Sequence, residues 1–77
     1  MKIKLHKDAE KYLAKLPAKQ AGRILEAINK LPSGYVAPLQ GRHPELRLRV
    51  GDWRVIFVYQ NDIIFVKEIG NRGDIYK

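Results

Sequence analysis

The sequence predicts a small α+β domain in which one strand and two helices precede a three-stranded antiparallel meander (β-α-α-β-β-β). Alternating polar and apolar residues mark strands at 2–6 and within 46–69. Apolar residues at helical spacing mark two helices within 7–31. The turn dipeptides Gly51-Asp52 and Asn61-Asp62 separate the last three strands.

The first helix is expected to start at Lys7-Asp8, where Asp8 is an N-cap or a first-turn acid. Leu16-Pro17 ends it, and Pro17 suits the first position of a second helix. Each helix has one apolar stripe, comprising Ala9, Tyr12, Leu13 and Leu16 in the first and Ala21, Ile24, Leu25, Ile28 and Leu31 in the second. Two amphipathic helices joined this closely predict a helical hairpin that covers one face of the sheet.

Residues 33–44 contain two glycines and two prolines and are expected to form a loop, a natural place for partner contacts. No repeat, low-complexity tract or linker interrupts the chain, so residues 1–77 are expected to form one domain.

The hairpin around Gly51-Asp52 places three arginines on one face. A two-residue turn makes Val50 and Trp53 opposite partners, and opposite partners share a face. The apolar face then carries Leu46, Leu48, Val50, Trp53, Val55, Phe57 and Tyr59. The other face carries Glu45, Arg47, Arg49, Arg54, Ile56 and Val58. Arg49 lies opposite Arg54, an unfavourable arrangement that indicates an anion-binding site rather than three solvated side chains.

Composition limits the classes of partner and site. The net charge of +7 favours a polyanionic partner, either a nucleic acid or an acidic protein, over an anionic membrane, and no membrane partner is expected. The chain has no cysteine, and its two histidines, His6 and His43, are too few for a metal site. No cofactor is expected. Without an apolar run long enough for a signal peptide or a membrane span, the chain is expected to be cytoplasmic.

Two segments resemble the RelE/ParE superfamily of toxins from type II toxin–antitoxin systems. Residues 46–57 (LRLRVGDWRVIF) are similar to the aromatic-Arg hairpin of that family, and residues 69–76 (IGNRGDIY) to its closing Gly-x-Arg…Tyr segment. The Leu39-Gln40-Gly41 loop is a weaker match. The resemblance covers nearly the whole chain in its order of elements.

The RelE branch implies an mRNA interferase, a metal-free ribonuclease that cuts mRNA in the ribosomal A site by attack of the 2′-hydroxyl on its adjacent phosphate. By this resemblance Arg54 and Arg72 stabilise the phosphate, and Arg47 acts as a charge stabiliser or proton donor. Tyr76 stacks on a base or orients the nucleophile. Arg49 contacts the RNA backbone, and Arg42 and Lys67 are further expected RNA contacts. Guanidinium groups suit this task because their donors match phosphate oxygens.

The sequence also departs from the RelE pattern. Glu45 stands where some RelE proteins have lysine, and it acts either as a general base or as a salt-bridge partner of the arginines. Asn71 stands where related chains often have histidine. Because one residue follows Tyr76 in this sequence, the C-terminal helix of longer members is not expected.

Three functions remain open at this stage. They are a ribosome-dependent mRNA endonuclease, a ParE-like inhibitor of DNA gyrase, and a catalytically weak homologue that only binds its antitoxin. All three imply a cognate antitoxin that lays an acidic segment across the arginine face. The toxin–antitoxin hetero-oligomer is a candidate for binding operator DNA. The interferase also implies the ribosome and mRNA as partners.

Overall fold

The computed structural model describes residues 2–31, 33–39, 41 and 43–71. Within these ranges, five strands and two helices follow one another in the order β-α-α-β-β-β-β. Their bounds are β1 Lys2–Leu5, α1 Lys7–Lys15, α2 Ala18–Asn29, β2 Tyr35–Pro38, β3 Leu46–Val50, β4 Trp53–Gln60 and β5 Ile63–Asn71. The α+β class and the predicted strand–helix–helix–meander order are confirmed, with one additional strand, β2.

Helix α1 begins at Lys7, as the sequence indicated, whereas α2 begins at Ala18, one residue later than indicated. His6 is the N-cap of α1, and its Nδ1 accepts a hydrogen bond from the Asp8 backbone N–H at 3.1 Å. Asp8 is therefore a first-turn acid, and its negative charge interacts favourably with the positive N-terminal end of the helix dipole. Pro17 is the N-cap of α2 rather than its first residue. The break between the helices lies at Leu16-Pro17, as predicted.

All five strands form one mixed sheet in the order β1-β5-β4-β3-β2. β1 pairs parallel with β5, and the other neighbours are antiparallel. Gly51 begins the β3–β4 turn at φ 59°, a conformation that glycine adopts without steric cost. Asn61 and Asp62, at φ 52° and 62°, form the predicted turn between β4 and β5, because short polar side chains tolerate this region.

The prediction of an irregular loop over 33–44 was wrong for its first part. Tyr35–Pro38 forms the edge strand β2, which pairs with β3 through Tyr35↔Arg49 and Pro38↔Leu46. A proline is compatible with an edge strand, since an edge leaves one row of N–H groups unpaired. Gly34 precedes β2 at φ 116° and lets the chain turn against the Leu48 side chain.

The hydrophobic core lies between the helices and one face of the sheet. Its buried residues are Ala9, Leu13, Ile24, Ile28, Leu31, Leu48, Val55, Phe57, Ile64, Val66 and Ile69. Helix α1 packs mainly on β5, and α2 packs on β3. The helix stripes were predicted correctly except at Leu25, which is exposed. Tyr59 is likewise exposed, because it lies near the end of β4.

Candidate anion-binding site

The arginine face is the side of the sheet opposite the helices, and its register is the predicted one. Val50 pairs with Trp53, Arg49 with Arg54, and Arg47 with Ile56. Leu48 and Val55 alternate with these arginines and lie in the core. The three guanidinium-bearing residues therefore share the outer face of two adjacent strands.

Arg54 is the most enclosed of the three arginines. Its side chain is 7% exposed, and among the residues that the structure describes no other charged residue is buried. Its Nη1 donates to the backbone carbonyls of Gly51, at 3.3 Å, and Trp53, at 3.2 Å. These bonds tie the guanidinium to the turn that connects β3 and β4. The side chain is thus positioned by the hairpin rather than free in solvent.

Two buried donors on this face have no acceptor among the residues that the structure describes. They are the Nε atoms of Arg47 and Arg54. A buried donor without an acceptor costs about 1–3 kcal/mol, and more when the group is charged. In native proteins such a group usually has a catalytic role, stores strain, or is satisfied by water or an ion. The exposed Arg49 lies between them in the ladder, opposite Arg54 and two residues from Arg47. This arrangement suits an anion with several oxygen atoms, such as a phosphate group.

A β-bulge in β5 brings Lys67 to the arginine face, where it meets Glu45. The pairing with β4 shifts between Ile56↔Glu68 and Phe57↔Val66, so Lys67 is the extra residue. Lys67 Nζ lies 2.5 Å from Glu45 Oε2, and the Glu45 side chain is only 12% exposed. The pair reaches across β4, from β5 to the residue that precedes β3. The sequence offered two roles for Glu45, a general base or a salt-bridge partner of the arginines, and did not indicate this pairing with Lys67.

The sequence contains a signal for this bulge. Val66 and Ile69 both lie in the core, although their separation of three residues breaks the two-residue period of a strand. Two polar residues in succession between buried positions, here Lys67 and Glu68, are typical of a bulge.

The other end of the arginine face is apolar. Ile56 is fully buried, Val58 is partly buried, and Phe65, which pairs with Val58, is 47% exposed. A shallow groove of about 350 Å³ runs past Val58, Phe65 and Lys67. Lys4 Nζ lies 5.9 Å from the centre of the Phe65 ring. The predicted apolar patch beside the arginines is thus partly exposed and flanked by lysines.

The structure brings together five of the eight predicted site residues: Glu45, Arg47, Arg49, Arg54 and Lys67. Arg42, Arg72 and Tyr76 lie outside the described residues, so their roles stay predictions. Within the described ranges, no three histidine, aspartate or glutamate side chains cluster as a metal site would require. None of the described helices is both long and apolar enough to cross a membrane.

A comparison with models of protein families shows the family to which this chain belongs. The model of the ParE toxin of type II toxin–antitoxin systems (parDE) matches residues 3–76. The chain belongs to this family. It is therefore a type II toxin of the RelE/ParE superfamily, and the arginine face is the outer sheet surface of such a toxin. A comparison with curated proteins finds no significant match.

Solved RelE structures have the same fold as this toxin. RelE in the RelB–RelE complex of Methanococcus jannaschii is 23% identical with a TM-score of 0.76, over 94% of this chain and 93% of the other. The chain from the RelE–RelB complex of Pyrococcus horikoshii OT3 is 27% identical with a TM-score of 0.73, over 95% of this chain and 96% of the other. The chain from the RelBE2 complex of Mycobacterium tuberculosis is 18% identical with a TM-score of 0.76, over 92% of this chain and 96% of the other.

Proposed function

We propose that this toxin is a ribosome-dependent mRNA endonuclease that cleaves A-site mRNA and so inhibits translation. The observation that carries the proposal is the pair of buried Nε donors on Arg47 and Arg54 that lack acceptors in the described chain. A sheet surface used only for protein contacts has no need of two arginines whose buried Nε donors lack acceptors. A backbone phosphate supplies the charge and the acceptors that both groups lack.

The proposed reaction needs a place for the negative charge that develops at phosphorus. The 2′-oxygen forms a bond to the adjacent phosphorus, and the bond from phosphorus to the 5′-oxygen breaks. The products are a 2′,3′-cyclic phosphate and a free 5′-hydroxyl. Arg47 and Arg54 stabilise the additional charge of the pentacoordinate intermediate from a partly enclosed site, where electrostatic stabilisation is strongest. The exposed Arg49, together with Arg42, holds neighbouring phosphates.

The proton transfers require other groups, because arginine stays protonated in proteins. One proton leaves the 2′-hydroxyl and one reaches the 5′-oxygen. We assign these steps to Tyr76: its hydroxyl donates a proton to the 5′-oxygen, and the resulting phenolate takes up the proton from the 2′-hydroxyl, so that the tyrosine ends in its starting form. Arg72 is an additional phosphate ligand, and both assignments rest on the match to the family's closing segment. Glu45 is the alternative base, but its Oε2 accepts from Lys67 and its side chain is mostly enclosed. The described geometry therefore favours a positioning role for Glu45.

A cognate antitoxin is the second part of the proposal. Three solved relatives are complexes of RelE with RelB, which supports a protein partner of this kind. An acidic segment laid across Arg47, Arg49 and the exposed Phe65 would neutralise the site and cover its apolar end. We further propose that the pair acts in the cytoplasm and that the hetero-oligomer binds operator DNA.

Inhibition of DNA gyrase is the competing function, and one observation favours it. The matching family model is that of ParE toxins, over residues 3–76. A gyrase inhibitor acts by binding, so it does not need the two enclosed arginines to converge on a phosphate. Removal of a single arginine would then leave inhibition largely intact.

Primer extension on a defined mRNA, held in ribosomes with an empty A site, tests the proposed function. We expect the wild type to produce A-site cuts, and Arg47→Met and Arg72→Ala to reduce the cutting rate by about 100-fold, as loss of one transition-state donor does. Lys11→Met removes one exposed charge from α1 and serves as the control.

A gyrase supercoiling assay with the same proteins completes the comparison. Inhibition of supercoiling together with the absence of A-site cuts would contradict the endonuclease and favour the ParE-like function. Absence of both activities would leave an antitoxin-binding homologue.

A further inference from the structure

Lys67 and Glu45 form an ion pair on the same face as the arginine site. Lys67 is placed there by the β5 bulge, and its ammonium meets a carboxylate that is 12% exposed. An exposed surface pair of this kind contributes little to stability. This pair differs because the carboxylate is largely enclosed and lies beside cationic groups that themselves lack acceptors.

Glu45 has a second cationic group within its reach. Glu45 and Arg47 are separated by one residue, so both side chains point to the outer face, at a spacing of about 7 Å along the strand. Two long side chains span that distance easily. A carboxylate on Arg47 would form a charge-assisted hydrogen bond and would occupy the position that a phosphate oxygen needs. The chain thus carries a potential internal competitor for its own anion site.

We propose that Lys67 is a positioning residue that holds the Glu45 carboxylate away from Arg47 and so keeps the anion site open. The inference deepens the proposed function, on which it rests for the identity of the anion. The bulge is what makes the arrangement possible, because it turns both Lys67 and Glu68 toward the face that carries Arg47. Glu68 pairs with Ile56, which in turn pairs with Arg47. Glu68 therefore lies two strands away from Arg47, farther along the sheet than Glu45 is.

The resonance of the Arg47 Nε–H group in NMR spectra tests the proposal without any ligand. In the wild type we expect a position typical of an arginine with no carboxylate partner. In Lys67→Met the carboxylate loses its ion pair with residue 67 and moves toward Arg47, and the resonance moves downfield. It returns in Lys67→Met/Glu45→Gln, because a neutral amide does not form the charged bond. Lys67→Arg keeps the ion pair and the wild-type position. An unchanged resonance in Lys67→Met would overturn the proposal.

Binding of a short 2′-O-methyl RNA, followed by fluorescence anisotropy, gives the functional consequence. A competing charged hydrogen bond contributes about 1.5 kcal/mol, so Lys67→Met should weaken binding by about tenfold. Adding Glu45→Gln should restore it to within about twofold of Lys11→Met, the control for losing one positive charge. Equal affinities for Lys67→Met and Lys11→Met would overturn the positioning role.

Failure of the endonuclease proposal and failure of the positioning role of Lys67 give different results. If the wild type does not bind RNA, the endonuclease proposal fails, whereas the Arg47 resonance still decides whether Lys67 restrains Glu45. If the wild type binds and cuts RNA but the resonance is insensitive to Lys67→Met, only the positioning proposal fails.

Discussion

Arg49 lies directly opposite Arg54 in the β3–β4 ladder, and the two residues differ in environment. Arg54 is buried and donates to the carbonyls of Gly51 and Trp53, whereas Arg49 is exposed. The turn holds one guanidinium in place, and the other is free to approach a ligand. Two like charges at this spacing oppose folding, and an anion placed between them would reverse that effect.

Arg49→Thr should increase stability. It removes the cation opposite Arg54 and places a β-branched residue in a strand, so we expect a gain of about 0.2–1 kcal/mol at low salt. Urea unfolding measures the difference. Arg49→Lys, which keeps the charge, should show no such gain. The gain should shrink at high salt, since screening weakens the repulsion that Arg49→Thr removes. A loss of stability in Arg49→Thr at low salt would argue against repulsion across this pair.

Sulfate should stabilise the wild type through the arginine face. At ten times its dissociation constant, a ligand that binds only the folded state adds about 1.4 kcal/mol to the free energy of unfolding. Arg47→Met removes one of the two donors that lack acceptors, and we expect it to lose most of this increment. Sulfate also acts as a general stabiliser, so the comparison is made with Lys11→Met at the same concentration. Equal increments in both variants would place the sulfate effect elsewhere.

Gly34→Ala and Gly22→Ala should change stability in opposite directions. Gly34 has φ 116°, and a Cβ there would lie 3.1 Å from Leu48 Cδ1. Strained backbone of this kind costs an L-residue about 1–2 kcal/mol. Gly22 lies within α2 with nothing within 4 Å of its Cβ position, so alanine there should stabilise by about 0.5–1 kcal/mol. Thermal unfolding of both variants checks the difference in sign.

Phe57→Ala and Phe65→Ala provide a test of the two sheet faces. Phe57 is buried in the core, so its truncation should cost about 3–5 kcal/mol. Phe65 is half exposed and contacts Lys4, so its loss should cost less than about 1 kcal/mol. Urea unfolding again provides the measurement. A large cost at Phe65 would mean that the apolar end of the arginine face is more enclosed than the structure shows.

The parts of the fold with strong periodicity were predictable from the sequence. Both helices, the β3–β4 register and the placement of Arg49 opposite Arg54 follow from the apolar spacing and from the two-residue turn at Gly51. The edge strand β2 was not predicted, because Gly34 and Pro38 are also typical of loops, and only pairing with β3 makes the segment a strand.

The site was predictable only in part. Its arginines were found because a strand's alternation assigns them to one face. The ion pair between Lys67 and Glu45 joins residues 22 positions apart and depends on the bulge, which strict alternation does not reveal. The enclosure of the Arg54 side chain likewise depends on tertiary structure, because its acceptors are backbone carbonyls of a turn.

The most direct test of the central claim is an NMR titration of the arginine Nε–H resonances with a short RNA that carries 2′-O-methyl groups and therefore cannot be cut. The account predicts that the Arg47 and Arg54 resonances shift together and saturate at one RNA concentration, because both arginines are proposed to bind the same phosphate. Shifts confined to exposed lysines such as Lys7 and Lys11, with Arg47 and Arg54 unchanged, would contradict it.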